Sequence, residues 1–238
     1  MLERLWLRID GPFAAFRTFT AGWYRPSAPF MTHSAAYGLF LNLAGIESRL
    51  WEGEEGHDGK TPASLERDAL PQARIALGIP AGMKPPVVQT LYQQLHNYLQ
   101  HPARQNEGYQ RGKGAKFNIT PVRREFLWKF HAIAVIESSP DLIRAIRRGL
   151  RGEKQDGRYG LPFLGDNNFL PDRLEEVEPT PARWYRRLGE NAPAEPETTR
   201  LTQRVDRSGM IGTESALFAP TEAYSVEIPE SAWAAVGG

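Results

Sequence analysis

Residues 125–137 (EFLWKFHAIAVIE) form a strongly apolar run that leads straight into Ser139-Pro140-Asp141. The run reads as a buried strand. The tripeptide reads as a helix start: an N-cap serine, a proline at the first helical position, and an acid at the positive end of the helix dipole. Leu142, Ile143, Ile146 and Leu150 then face a core, and Arg144, Arg147, Arg148 and Arg151 face away from it, as a solvated surface. A buried strand feeding directly into an amphipathic helix calls for a helix layer packed on a sheet.

The rest of the chain fits that layering. Leu2–Ile9 reads as a strand, with Leu5, Leu7 and Ile9 on one face and Arg4, Trp6 and Arg8 on the other. Gly11-Pro12 reads as its end. Thr32 or Ser34 caps a helix whose apolar stripe is Leu39, Phe40, Leu43 and Ile46. Residues 51–68 are polar and glycine-rich, hence a loop, and Ala73–Ile79 reads as a second strand. Pro85-Pro86 opens a predicted helix in which Val88, Leu91, Leu95 and Leu99 recur on one face. A basic loop covers 104–116, and a Gly/Pro/Asn loop covers 160–171. Beyond about 179 the chain turns rich in Pro, Glu and Thr, with a short predicted strand near Tyr224–Ile228. Without the helical insertion, this order is compatible with an α+β, ferredoxin-like βαββαβ sheet, the topology of RNA-recognition modules.

Composition narrows the function classes. With 41% hydrophobic and 24% charged residues in 238, the chain has material for a core. Glycine (22) and proline (19) argue for long, shaped loops. Cysteine is absent, which excludes disulfides, thiolate metal sites and a cysteine nucleophile. The five histidines show no metal-ligand spacing, so neither a metal nor another cofactor is expected. No run approaches the ~18 apolar residues of a membrane span. The N-terminus carries charges where a signal peptide has its apolar stretch, so a cytoplasmic protein is expected. The formal net charge of +1 hides a segregation. Residues 101–151 hold 11 Lys/Arg against 4 Asp/Glu, net +7, and residues 175–238 hold 6 against 11, net −5. A basic middle suggests a polyanion contact, and an acidic end a protein contact.

The stretches GPFAAFR at 11–17 and RPSAPFMTHSAAYGLFLNLAGI at 25–46, followed by LPFLGDNNFLP at 161–171, resemble the Cas-five family of CRISPR-associated Cascade subunits. The resemblance spans about residues 1–175. TLYQQLHNY at 90–98 resembles the Myxococcus-type, DevS-like branch. The resemblance implies a RAMP-type ferredoxin-like domain over 1–178 with a thumb insertion at about 85–122. An irregular C-terminal extension, mostly loop with short strands, would follow over 179–238. It further implies binding of the 5′ handle of the CRISPR RNA (crRNA), capping of the backbone-subunit filament, and docking beside the large subunit. Target DNA would lie nearby, in antiviral defence or guided transposition.

Holding a bent single strand takes cations for phosphates and aromatic faces for bases. Arg17, Trp23, Tyr24, Arg25, Ser27, Thr32, His33 and Ser34 supply these types in the 11–33 loop, where Phe13 and Phe16 read as core anchors. In the 104–118 loop, Tyr109, Arg111, Lys113, Lys116 and Asn118 do the same on a glycine-rich path. Asp166, Asn167 and Asn168 fit either a turn or an RNA contact. One branch of the family cleaves precursor RNA without metal, through tyrosine, lysine and histidine. Tyr37, Lys129 and His131 are the nearest counterparts, with Lys129 and His131 sharing a strand face. The cleaving branch has adjacent Lys-His, and here a residue intervenes. The expectation is therefore a non-catalytic subunit.

Overall fold

The computed structural model describes residues 2–18, 20, 23–50, 53–54, 65–67, 69–97, 118–153, 160–189, 193, 195–206 and 212–237. Its spine is one strand. In chain order come β1 (Glu3–Ala14), β2 (Phe16–Arg17), β3 (Tyr24–Arg25), β4 (Ser27–Ala28), α1 (His33–Ala44), β5 (Arg49–Leu50), β6 (Leu65–Glu66), β7 (Ala73–Pro80) and β8 (Val87–Asn97). Then follow β9 (Asn118–Ser138), α2 (Pro140–Leu150), β10 (Arg173–Glu176), β11 (Ala182–Arg187), β12 (Thr199–Arg204), β13 (Glu214–Pro220) and β14 (Ala234–Val236). Among the described residues, ten strands form the main sheet, in the order β10-β1-β9-β7-β11-β13-β12, with β14 also on β7, and β3 and β8 on β9. The four strands β10-β1-β9-β7 are antiparallel throughout. The connection from β1 to β7 carries α1, and that from β9 to β10 carries α2.

Both helices share one core with one face of that sheet. Leu5, Leu7 and Ile9 of β1, Ile75, Leu77 and Ile79 of β7, and Phe130, Ala132, Ala134 and Ile136 of β9 pack with Leu39, Leu43, Leu142, Ile143 and Ile146 of the helices. The period-two alternation of the strands meets the 3.6 period of the helices here. Thr32 caps α1 by accepting a hydrogen bond from the Ala35 amide at 3.2 Å. Ser139 caps α2 in the same way through the Leu142 amide. The opposite face buries Trp6, Ala76, Ile133 and Val135 against Ala182, Trp184 and Ala232. Trp6 and Trp184 meet edge to face at 5.4 Å. Beside them, Trp233 lies under Arg4 and Arg74, at 5.1 and 5.2 Å from the guanidinium carbons to the ring centre. Both arginines pair with Glu137, at 2.7 and 3.3 Å.

Four expectations are corrected. Residues 87–97 are a strand, β8, and not a helix; they pair antiparallel with Asn118–Trp128 of β9. Their apolar spacing matches a helix stripe, but Val87, Val88 and Leu91 are 46%, 40% and 47% exposed, so no core draws that stripe inward. β-branched and aromatic residues (Val87, Val88, Thr90, Tyr92) then favour the ladder that β9 offers. Gly11-Pro12 does not end β1 either. The register of β1 on β9 passes over Pro12 and Lys129, between the pairs Gly11↔Phe130 and Phe13↔Trp128, and resumes without a shift. The short strand near Tyr224–Ile228 reduces to a single bridge, Ala182↔Ser225. Beyond 179 the strands are short, and they extend the sheet: β11 and β14 both pair with β7. The 51–68 loop, lastly, contains β6, which pairs with β5.

The helices approach each other closely at Gly149, where a Cβ would lie 1.8 Å from the Leu43 carbonyl oxygen. Gly149→Ala is expected to destabilise the fold by about 1–3 kcal/mol or more through overpacking. A lower urea midpoint would show it; an unchanged midpoint would contradict the contact.

Candidate nucleic-acid interface

The end of β1 and the 160–171 loop are bound together backbone to backbone. The Ala15 amide donates to the Leu164 carbonyl at 3.0 Å, and the Leu164 amide donates to the Phe169 carbonyl at 2.8 Å. Gly165 makes the approach possible. Its φ is +76°, and a Cβ there would sit 2.2 Å from the Ala15 carbonyl oxygen. The turn that follows delivers Asp166, 7% exposed, to the base of a basic cluster. Asp166 accepts from the Asn168 amide at 3.1 Å and from its side-chain NH2 at 2.8 Å. It also pairs with Arg17 at 3.2 Å and with Arg124. Burial raises its pKa, but the Asn168 hydrogen bonds and the Arg124 charge outweigh that and hold the carboxyl below its ordinary value. One carboxylate thus organises two guanidiniums, and one positive charge is left over.

The third cation arrives through β3, which lies parallel to β9 with Tyr24 opposite Arg123 and Arg25 opposite Arg124. Among the described residues, Arg25 and Arg123 make no ion pair. Arg17, Thr18, Thr20, Arg25 and Pro26 line a cleft of about 260 Å³. Beside it Trp23 and Tyr24 are 59% and 43% exposed. The Tyr24 hydroxyl donates to Glu125, whose other oxygen accepts from the Ser27 amide at 3.0 Å, so the ring is held in place while its face stays open. Guanidiniums, hydroxyls and adjoining aromatic faces can take phosphates and bases of a single strand.

The other sequence candidates lie elsewhere. Ser27 is buried; its hydroxyl accepts from the Phe16 amide and donates to the Ala28 carbonyl, both at 3.0 Å, so it ties β2 to β4 and is closed to a ligand. Thr32 is spent on the helix cap, and Ser34 lies 3.1 Å from it, oxygen to oxygen. His33 is a core residue, wholly buried against Phe218 with ring centres 4.7 Å apart. Phe16 is buried beside Phe130, whereas Phe13 is part exposed and meets Phe126 edge to face. Tyr109, Arg111, Lys113 and Lys116 lie outside the described residues, as does the Asn118 side chain. The helix arginines pair with acids: Arg144 with Asp141, Arg147 with Glu176 and Glu3, and Arg148 and Arg151 with Glu153.

The three nuclease counterparts do not converge. Tyr37 is buried in the helix-side core, its hydroxyl donating to the Pro71 carbonyl at 2.6 Å. His131 is on the opposite face, with Nδ1 2.7 Å from Asp10 Oδ1. Lys129 has a positive φ of 56° and sets its ammonium 4.3 Å from the Trp128 ring centre. That left-handed residue breaks the alternation, since Leu127 and Phe130 are both core. Among the described residues, no group of three His, Asp or Glu side chains is placed to hold a metal. The residues that sequence reasoning passed over are Arg123 and Arg124. Their adjacency inside the basic stretch was the available signal, but no loop motif marked them.

A mostly antiparallel α+β sheet of this kind has a solved counterpart. A chain from a "CRISPR RNA-guided surveillance complex" matches with a TM-score of 0.51 at 18% identity, over 96% of this chain and 95% of that one. A second, "Crystal structure of Cas protein", gives a TM-score of 0.43 at 16% identity, over 93% and 94%. No curated protein matches by sequence. The family model described as CRISPR-associated protein (Cas_Cas5) matches residues 4–169. The chain belongs to the Cas5 family of CRISPR-associated proteins.

His33 carries a prediction. Burial alone pushes its pKa down to about 3, so it is neutral when folded. The unfolded chain takes up that proton near pH 6.5, so the stability owed to the neutral ring is complete above that pH and drains away as pH falls toward 3. By pH 5 the loss is about 2 kcal/mol. His33→Leu should remove that part of the difference between urea midpoints at pH 7 and pH 5. An equal pH dependence in both proteins would contradict the burial.

Proposed function

We propose that this chain is a non-catalytic subunit of a CRISPR RNA-guided surveillance complex, and that it binds the 5′ handle of the crRNA. The observation that carries this reading is the cluster at the β1 end: Arg17 and Arg124 on Asp166, Arg25 unpaired beside them among the described residues, and a cleft lined by Arg17, Thr18, Thr20, Arg25 and Pro26. In the same reading, β10-β1-β9-β7 with α1 and α2 is the ferredoxin-like RAMP core, and the hairpin of β8 and the first half of β9 is the thumb. The chain caps the backbone-subunit filament, docks beside the large subunit near the target DNA, and belongs to the DevS-like branch. It acts in the cytoplasm, in defence or guided transposition. The acidic segment beyond 175 serves the protein contacts, because acidic surface repels phosphate.

Cleavage of precursor RNA is the second reading, and it rests on His131, held by Asp10 as a general base would be. Tyr37 cannot join it across the sheet.

Repeat-derived 5′ handle RNA should bind the purified chain with strong salt dependence. Arg17→Ala and Arg25→Ala should each weaken binding by about 1.5–3 kcal/mol, the worth of a well-ordered charge-assisted hydrogen bond. The log–log salt slope should fall by roughly 0.7 for each single-strand phosphate that is no longer neutralised. Unchanged affinity in both variants would overturn the assignment. In EDTA the same RNA should stay intact, whereas specific cleavage that His131→Ala abolishes would move the reading to the enzyme.

A further inference from the structure

The arm formed by β8, the first half of β9, and β3 carries a row of side chains that the cleft does not include. Tyr92 is opposite Arg123 across the β8–β9 ladder, and Tyr24 is opposite Arg123 across the β3–β9 ladder. Partners in register point to the same face of a sheet, and neighbouring strands lie ~4.8 Å apart. The three residues therefore form one line across the arm, Tyr92–Arg123–Tyr24. Tyr92 is 62% exposed and Tyr24 43%. Arg123 is exposed and makes no ion pair among the described residues. Thr90 and Gln94 flank Tyr92 on the same face, which presents polar groups beside the rings.

We infer that this row is a stacking platform for bases of single-stranded RNA, and that Tyr92 and Arg123 belong to the RNA site together with Tyr24. The inference rests on the RNA-binding reading above and extends it to two further residues. An exposed tyrosine ring on a strand has no core to serve. A guanidinium between two rings offers a flat, cationic face that suits a base and its phosphate together. The Tyr24 ring is already immobilised through its hydroxyl on Glu125, so stacking on it costs little further ordering. The basic charge of 101–151, within which Arg123 falls, selects an anionic occupant over a neutral one, and the exposed rings of Tyr24 and Tyr92 beside Arg123 favour bases over an acidic peptide.

The test uses the full chain and a fluorescently labelled single strand transcribed from its own CRISPR repeat. Tyr92 is exposed, so its variants should fold, which a thermal melt confirms. Tyr92→Ala should weaken binding about tenfold, within the range measured for one stacked base, and leave the salt slope unchanged. Tyr92→Trp should bind like the parent, and Tyr92→Leu should not. A 2-aminopurine in the handle should lose its quenching in Tyr92→Ala. If Arg17→Ala and Arg25→Ala weaken binding while Tyr92→Ala does not, the platform is wrong and the cleft stands. Leucine rescuing as well as tryptophan would equally overturn stacking. If the parent chain binds no RNA, the cleft and the platform fall together.

Discussion

Everything in this fold hangs on the pairing of one strand. β9 runs 21 residues, and its two halves serve different ends. From Ile133 onward it is wedged between β1 and β7, and Phe130, Ala132, Ile133, Ala134, Val135 and Ile136 are all fully buried. Before Trp128 it is flanked by β8 and by the short β3. The changeover falls at Lys129, a non-glycine residue at φ 56°, a conformation that costs on the order of 1–2 kcal/mol. Pro12, which cannot donate to a ladder, stands opposite it. The rigid half anchors the arm, and the arm carries Arg123, Arg124 and the partner positions of Tyr24 and Arg25.

The same architecture decides where a single strand can lie. An open sheet face is the usual platform of RNA-recognition modules. Here much of that face is occupied, because Trp184 and Ala232 cover Trp6, Ile133 and Val135, and Trp233 sits beneath Arg4 and Arg74. The C-terminal segment thus closes that face, and in the proposed reading recognition falls to the arm and to the loop around Asp166. Its own side of the molecule carries ion pairs such as Glu195 with Arg186 and Glu197 with Arg183.

Much of this was legible in the residues. The alternation of Leu5, Leu7 and Ile9, the Ser139-Pro140-Asp141 start and the Thr32 cap act locally, and each is where its pattern places it. What escaped was set by distant partners. The apolar spacing of 88–99 is compatible with a helix until the first half of β9 is present to pair with β8. Pro12 looks like a stop, but the β1–β9 register skips only Pro12 and Lys129 and continues to Ala14. Of the sequence candidates, Arg17 and Arg25 line one cleft, because both lie on one short excursion from the β1 end, and Trp23 and Tyr24 are exposed on that same excursion. Ser27, Thr32 and His33 have the right chemistry, but local hydrogen bonds or core packing claim them. Asp166 and Arg124 are 42 residues apart in sequence. No local pattern could announce that one anchors the other.

Ultraviolet cross-linking of the full chain to its own repeat RNA, read by mass spectrometry, tests the account most directly. Adducts are expected in residues 17–25 and on the arm, at 87–97 and 118–128. Adducts concentrated on the sheet face beneath Trp184 and Trp233, with the arm unmarked, would contradict it.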